Sequence, residues 1–277
     1  MVTIGDLRRN YRDLPRESLL ILSKILKVDR SHVYAYEEEE ITREQAEEFH
    51  RLMEKVQRGY PIQYILGEKE FMGLRLFVNE KVLIPRFDTE VLVEYIVDYI
   101  KINFKNQNVR VLDMCTGSGA IGLSIAYYCK NALVLGLDIS AEAIELANIN
   151  KNSLNLSNIS FQEGDLFAPL DGREKFDIIV SNPPYIPRAD IEGLARGVRD
   201  FEPRMALDGG LDGLDFYRTI TRDSRKYLGD RGLLIYEIAY NQGGDLRKIM
   251  AQENFRDFST LRDSQGHERA ALGFYRL

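Results

Sequence analysis

Cysteine is scarce: Cys115 and Cys129 are the only two in 277 residues, and they form no C-x-x-C spacing. That excludes a disulfide-stapled scaffold and points to free thiols in a reducing compartment. Long apolar runs are missing too, and none approaches the ~20 residues that a membrane-spanning helix needs. The opening Met1-Val2-Thr3-Ile4-Gly5-Asp6 lacks the basic-then-apolar order of a signal peptide. A cytoplasmic chain with no membrane partner is the expectation. His32 and His50 lie far apart with no second ligand at a metal-like spacing, so no metal is expected. Positive charge is also short. With a formal net charge of −6, a protein whose main task is gripping nucleic acid by its phosphates is disfavoured, because that task needs a basic surface. No internal repeat or low-complexity tract occurs.

What is present suits a soluble globular protein of more than one domain, with 44% hydrophobic and 29% charged residues. Residues 1–65 read as a small helical domain. Asp13 looks like a cap before Pro15, opening an apolar segment with Leu19, Leu20, Leu22, Ile25 and Leu26. Thr42 and Gln45 fit a capping box, and Ala46, Phe49, Leu52 and Val56 recur at helical spacing until Gly59. Glu37 to Glu40 reads as a solvated helix end or loop. Residues 66–84 read as a hairpin bridging two domains, with Phe71, Leu74, Leu76 and Val78 around a turn at Gly73, then the apolar run Val82-Leu83-Ile84. Over 85–277, a helix with Val91, Leu92, Tyr95, Ile96 and Tyr99 precedes alternating strands and helices. The strands are Val109–Leu112, Leu133–Leu137, Ile159–Gln162, Phe176–Val180 and Leu233–Ile238, with Phe255–Leu261 and Ala270–Tyr275 as a closing antiparallel pair. Such alternation implies an α/β doubly wound sheet.

The stretch around which the chain is organised follows the strand Phe176–Val180: Ser181-Asn182-Pro183-Pro184-Tyr185. Two prolines stop the strand, since neither donates to a ladder, and Pro183 biases Asn182 toward an extended conformation. The stiff end presents an amide, an aromatic ring and carbonyls free of competing N–H groups. That suits a flat, neutral NH2 group, which needs acceptors. Alone, the stretch is equally well a proline-rich turn with an incidental Asn.

A second candidate lies after the first strand of the alternating region, in Asp113-Met114-Cys115-Thr116-Gly117-Ser118-Gly119. Ligands of doubly wound sheets bind at such strand ends. Gly117, Gly119 and Gly122 also satisfy G-x-G-x-x-G, with Asp138 near the spacing of a ribose-binding acid. The glycines alone therefore leave a nicotinamide enzyme and an S-adenosylmethionine enzyme open. Asp113 favours the second, because an acid there repels phosphates and attracts a cationic amino-acid end. Asp165 could accept from an adenine amino group with Leu166 against the ring. A helix-cap or turn role is the competing reading of Asp138 and Asp165.

Taken together, these residues resemble the HemK/PrmC family of bacterial N5-glutamine methyltransferases, which modify the Gly-Gly-Gln glutamine of peptide-chain release factors. Pro61-Ile62-Gln63-Tyr64-Ile65-Leu66-Gly67 and Leu83-Ile84-Pro85-Arg86 look like its linker signatures. The glycine loop, Asn182 to Tyr185, Glu202-Pro203-Arg204, Ala206-Leu207-Asp208-Gly209-Gly210 and Gly266-His267-Glu268-Arg269 follow in family order. The resemblance implies a helical substrate-recognition domain and a class I (Rossmann-like) S-adenosylmethionine-dependent methyltransferase domain, whose seven-stranded sheet ends in an antiparallel strand. It carries cofactor contacts onto Cys115, Thr116, Gly117, Ser118, Gly119, Asp138, Asp165, Leu166 and Asn182, beside Asp113 from the reading above. It carries substrate contacts onto Asn182, Pro183, Pro184 and Tyr185, with release factors as protein partners and S-adenosylhomocysteine as product. Cys115 stands where the family most often has glycine, so a positive φ is not expected there. Phe87 and Asp88 replace the more usual Pro-Glu, which leaves that segment's role open.

The expected chemistry is methyl transfer to the glutamine side-chain nitrogen. The Asn182 oxygen and the Pro183 carbonyl would accept its two N–H bonds, while Tyr185 packs on the amide plane. Competing readings are methylation of a ribosomal-protein glutamine, adenine N6 methylation, a nicotinamide oxidoreductase and a non-catalytic binding module. The adenine reading lacks a basic target-recognition region.

Overall fold

A computed structural model of the chain describes residues 2–105 and 107–276. Its contacts divide the chain into two units, Met1–Glu68 with Ala195–Phe201, and Lys69–Leu194 with Glu202–Leu277. The hairpin expected to bridge two domains therefore groups almost wholly with the larger unit.

The smaller unit carries helices α1 (Ile4–Asn10), α2 (Pro15–Leu26), α3 (Arg30–Ala35), α4 (Arg43–Gln57) and α5 (Ile62–Leu66), and a short strand pair β1 (Val2–Thr3) and β2 (Glu40–Ile41). Thr42 caps α4 by accepting from the Gln45 amide at 3.2 Å, and Gln45 Oε1 accepts from the Thr42 amide at 2.9 Å. That capping box satisfies two otherwise orphaned donors. Asp13 is not the cap of α2; Leu14 holds that position without a side-chain bond, and Pro15 opens the helix. The acidic run is largely exposed, though the Glu37 carbonyl accepts from Gly5 N at 2.8 Å and Glu39 meets the His32 ring at 2.7 Å. Ile21, Leu22, Phe49 and Met53 are buried in this unit's core. Phe201 returns to it and meets Tyr60 edge-on at 5.1 Å.

The larger unit opens with the hairpin β3 (Glu68–Phe71) and β4 (Leu74–Phe77). Met72 (φ 50°) and Gly73 (φ 69°) make its two-residue turn, and positive φ at both positions is the type I′ pattern whose twist matches paired strands. Val82 and Ile84 are buried with Leu83 half-buried between them, but the run forms no strand. Then come α6 (Glu90–Asn103), β5 (Val109–Met114), α7 (Ala120–Tyr128), β6 (Ala132–Asp138), α8 (Ala141–Ser153), β7 (Ile159–Glu163) and β8 (Phe176–Ser181). After the short α9 (Arg196–Arg199), which groups with the smaller unit, the larger unit resumes with α10 (Asp215–Ser224), β9 (Leu228–Glu237), α11 (Gly243–Gln252), β10 (Phe255–Arg262) and β11 (Glu268–Tyr275). Seven strands form one sheet in the order β10-β11-β9-β8-β5-β6-β7. It is parallel except for β11, which runs against both β9 and β10. The antiparallel strand is thus last in the chain but second from the sheet edge.

Alternate residues of the central strands enter different cores. Val111, Ile178 and Ile235 bury on one face, and Leu112, Ile179 and Leu234 on the other. Helix coverage of both faces explains why these strands read as continuous apolar runs. Strand order departs in opposite directions from β5, toward β6 on one side and β8 on the other. The carboxyl ends of β5 and β8 therefore flank a topological switch point, where such sheets bind ligands.

Candidate active site

Register brings the two candidate stretches together. β5 pairs with β8 so that Met114 faces Ser181, and Ser181 Oγ donates to the Met114 carbonyl at 2.8 Å. The next residues along the two strands are Cys115 and Asn182. Both line a cavity of about 210 Å³ that also takes in Thr116, Gly117, Ser118, Asp138, Asp165 and Leu166. Of the cofactor residues expected, Asp113 and Gly119 are not on its wall, and neither are Pro183 and Tyr185 of the turn.

Asp113 works from beneath the loop. It is fully buried, and its Oδ2 accepts from the Thr116 hydroxyl at 2.5 Å and from Gly122 N at 2.9 Å. Desolvation pushes its pKa up to about 7 against the pull of those two bonds, and the nearby Asp138 adds to the rise. Gly122 has a packing reason, since a Cβ there would stand 2.9 Å from Asp113 Oδ2. Thr116 N donates to Leu137 O at 2.9 Å, which pins the loop to the neighbouring strand. Cys115 adopts φ +60° after all, so the left-handed conformation is kept without glycine. Its cost is of order 1–3 kcal/mol, held in place by the surrounding bonds. Burial pushes the Cys115 thiol pKa well up, which makes it an inert wall rather than a nucleophile.

Asp138, at the end of β6, accepts from Gly117 N at 2.8 Å and from Ser140 N at 3.0 Å. Burial raises its pKa while those amides lower it. One bond fixes the glycine loop and the other the start of α8, and spare lone pairs on both oxygens remain for a ligand. Leu166 takes φ +47° beside the exposed Asp165. Among the described residues none hydrogen-bonds the Asn182 side chain, whose amide therefore stays available in the cavity.

The site has parts that local motifs did not foretell. Arg86 Nη2 pairs with the buried Glu202, which also accepts from Ile84 N at 3.4 Å. Both segments they join line the cavity, through Val82, Leu83 and Pro85 on one side and Pro203, Met205 and Ala206 on the other. The linker and Glu-Pro-Arg signatures contained the pair, but nothing local links them. Asp88 also acquires a partner: Arg269 of the late Gly-His-Glu-Arg stretch lies 3.1 Å away and pairs with Asp263 at 2.8 Å. The Tyr185 hydroxyl donates to Glu237 Oε1 at 3.1 Å. A Cβ on Gly209 would stand 2.7 Å from Tyr185 Cα.

Among the described residues no cluster of His, Cys, Asp or Glu could hold a metal ion, and no helix is long and apolar enough to cross a membrane.

Comparison with known proteins matches residues 105–205 to a methyltransferase domain and residues 6–67 to the PrmC N-terminal domain. A release factor glutamine methyltransferase of Clostridium acetobutylicum is 43% identical over 258 residues, 92% of this chain and 90% of that protein. Its counterpart in Bacillus cereus is 40% identical over 89% of this chain and 87% of that protein. Among solved structures, a ribosomal protein L11 methylase of Lactobacillus delbrueckii subsp. bulgaricus superposes with TM-score 0.51 at 20% identity, covering 71% of this chain and 82% of that one. A T. Thermophilus 16S rRNA N2 methyltransferase in complex with AdoMet and guanosine gives 0.54 at 16% identity, covering 76% and 50%. At such identities these likenesses show the fold alone, a Rossmann-like class I methyltransferase fold.

Proposed function

The chain belongs to the release factor glutamine methyltransferase family, and from that premise we propose that it transfers a methyl group from S-adenosylmethionine to the side-chain N5 of the Gly-Gly-Gln glutamine of peptide-chain release factors. The observation that carries this reading is the shared cavity of Asn182 and the Cys115–Ser118 loop, built from adjacent strand ends.

The lining fits the cofactor. Gly117 takes φ +55° with open space where a Cβ would stand, leaving backbone bare to a ligand. Asp138 offers carboxylate lone pairs to ribose hydroxyls, while Ile139 and Leu166 give apolar surface to a base and Asp165 an acceptor. When bound, S-adenosylmethionine supplies a sulfonium methyl as electrophile.

An amide nitrogen is a poor nucleophile because its lone pair is delocalised into the carbonyl. The chain compensates by placing it. Asn182 Oδ1 and the Pro183 carbonyl accept the two N–H bonds of the glutamine amide and aim the nitrogen at the methyl. Positioning of this kind is worth about 7–11 kcal/mol. A single hydrogen bond aimed at developing charge is worth about 2.7–4 kcal/mol, so orientation dominates and no strong base is required. The proton released after transfer leaves to solvent.

The deciding experiment is labelled methyl transfer to a purified release factor and to the same factor with its Gly-Gly-Gln glutamine replaced. Label on the first and none on the second is the expected outcome. Label on both, or on neither, ends the reading.

A further inference from the structure

We propose that Glu237 is a positioning residue for the Asn182–Tyr185 turn, acting through the Tyr185 hydroxyl; the inference rests on the methyl-transfer reading above. Glu237 ends β9 and follows Tyr236, which pairs with Ser181, the last residue of β8 before Asn182. It is 4% exposed. Its Oε1 accepts from Tyr185 at 3.1 Å. Its Oε2 and the neighbouring Thr89 hydroxyl, both buried, make no formed hydrogen bond among the described residues. The Tyr185 hydroxyl is thus the one side-chain donor bonded to a carboxylate removed from water. Breaking such a bond strands a buried acceptor and costs far more than an exposed bond would. The ring of Tyr185 is held accordingly.

The backbone of Tyr185 is tied to the same place. Its carbonyl accepts from Gln242 Nε2 at 3.0 Å, and Gln242 Oε1 accepts from Ala239 N at 3.0 Å. Tyr217, buried alongside, donates to the Glu237 carbonyl at 2.8 Å. Gly209 packs closely on the Tyr185 backbone, and Ile186 exchanges backbone bonds with Leu207 and Gly209 at 3.0 and 2.9 Å. Tyr185 does not line the cavity, whereas Asn182 and Pro184 do. Its contribution is to fix where the cavity-lining part of the turn stands. The charged groups acting on Glu237 are Asp88, which disfavours its charged form, and Arg269, which favours it. In-line attack demands this rigidity, since misplacement by about 1 Å costs roughly a hundredfold in rate.

The test compares wild type, Glu237→Ala, Glu237→Gln, Tyr185→Phe and the Glu237→Ala/Tyr185→Phe pair, measuring kcat and KM for release-factor methylation and cofactor affinity by calorimetry. Wild-type transfer checks the functional reading by itself, so its failure is not confused with failure of the positioning role. Glu237→Ala should lower kcat by about ten- to a hundredfold, with cofactor affinity kept within about threefold. Tyr185→Phe should match it, and the pair should fall no further, because both remove one hydrogen bond. Gln keeps an acceptor oxygen in place and should bring kcat to within about threefold of wild type. Wild-type kcat in Glu237→Ala, additive losses in the pair, or Gln as slow as Ala each overturn the proposal. If Glu237→Ala fails to fold, Tyr185→Phe decides: a slowed enzyme beside a near-normal Glu237→Gln supports it, and an unslowed one overturns it.

Discussion

Arg86 reaches across the chain to a carboxylate 116 positions later, that of Glu202. The Glu202 side chain is 2% exposed and that of Arg86 37%, so the acid is the buried partner. Burial raises the Glu202 pKa and Arg86 draws it back. The pair clamps the segment before α6 to the segment after Phe201, and both are walls of the cavity.

Replacing Glu202 with Ala should therefore loosen the site as well as the fold. A fully buried pair broken at one partner costs about 3–5 kcal/mol. Here Arg86 can turn to solvent, so a loss of about 1–3 kcal/mol in urea unfolding is expected, together with weaker cofactor binding by calorimetry. If affinity and unfolding midpoint both stay put, the clamp is ornamental.

Asp138→Ala removes the acceptor of both Gly117 N and Ser140 N. A bond to a charged group is worth about 1.5–3 kcal/mol, so cofactor affinity should fall at least about tenfold. An unchanged dissociation constant would mean that the ribose lies elsewhere.

Asn182→Ala should behave oppositely. Cofactor affinity should hold within a few fold, while kcat drops by about a hundredfold or more, since one acceptor that aims the amide is gone. Single-turnover methyl transfer measures this directly, and full activity in the variant would sink the acceptor role.

Asp113 makes a pH prediction. Its native pKa is pushed up to about 7, above the ordinary carboxylate value of about 3.9. Between roughly pH 4 and 7 the folded chain holds a proton that the unfolded chain has lost. Its contribution to stability is present below that window and disappears as pH rises through about 7, at up to ~1.4 kcal/mol per pH unit. Asp113→Asn should flatten that part of the urea-stability profile measured from pH 5 to 8. Identical slopes in variant and wild type would contradict it. Glu202, Asp138 and Glu237 are raised in the same sense, so the difference between the two profiles is the quantity to read.

The local parts of this molecule were legible in its residues. Prolines after Val180 and glycines after Cys115 mark strand ends whatever surrounds them, and strand-helix alternation put those ends on one side of a sheet. Asp113 and Tyr185 stand out in the sequence, but their partners within the protein do not, because burial decides which scaffold groups a polar side chain meets. Asp113 props the loop from below, and Tyr185 turns to Glu237. The Arg86–Glu202 and Tyr185–Glu237 pairs were not legible, since partners 116 and 52 positions apart leave no periodic trace. Cys115 shows a related limit: the absence of glycine predicts no positive φ, while neighbouring hydrogen bonds hold that conformation on a residue that resists it.

Residues 195–201 interrupt one unit in sequence while packing with the other. A chain started at residue 69 would keep those seven residues but strip Phe201 of Tyr60, baring an aromatic ring a single step before Glu202. Amputating the helical unit is consequently never a neutral operation: a truncation that kills methylation would report damage near the Arg86 clamp as readily as a lost docking surface. Separating those two causes calls for point changes on the exposed helices, with the polypeptide left whole.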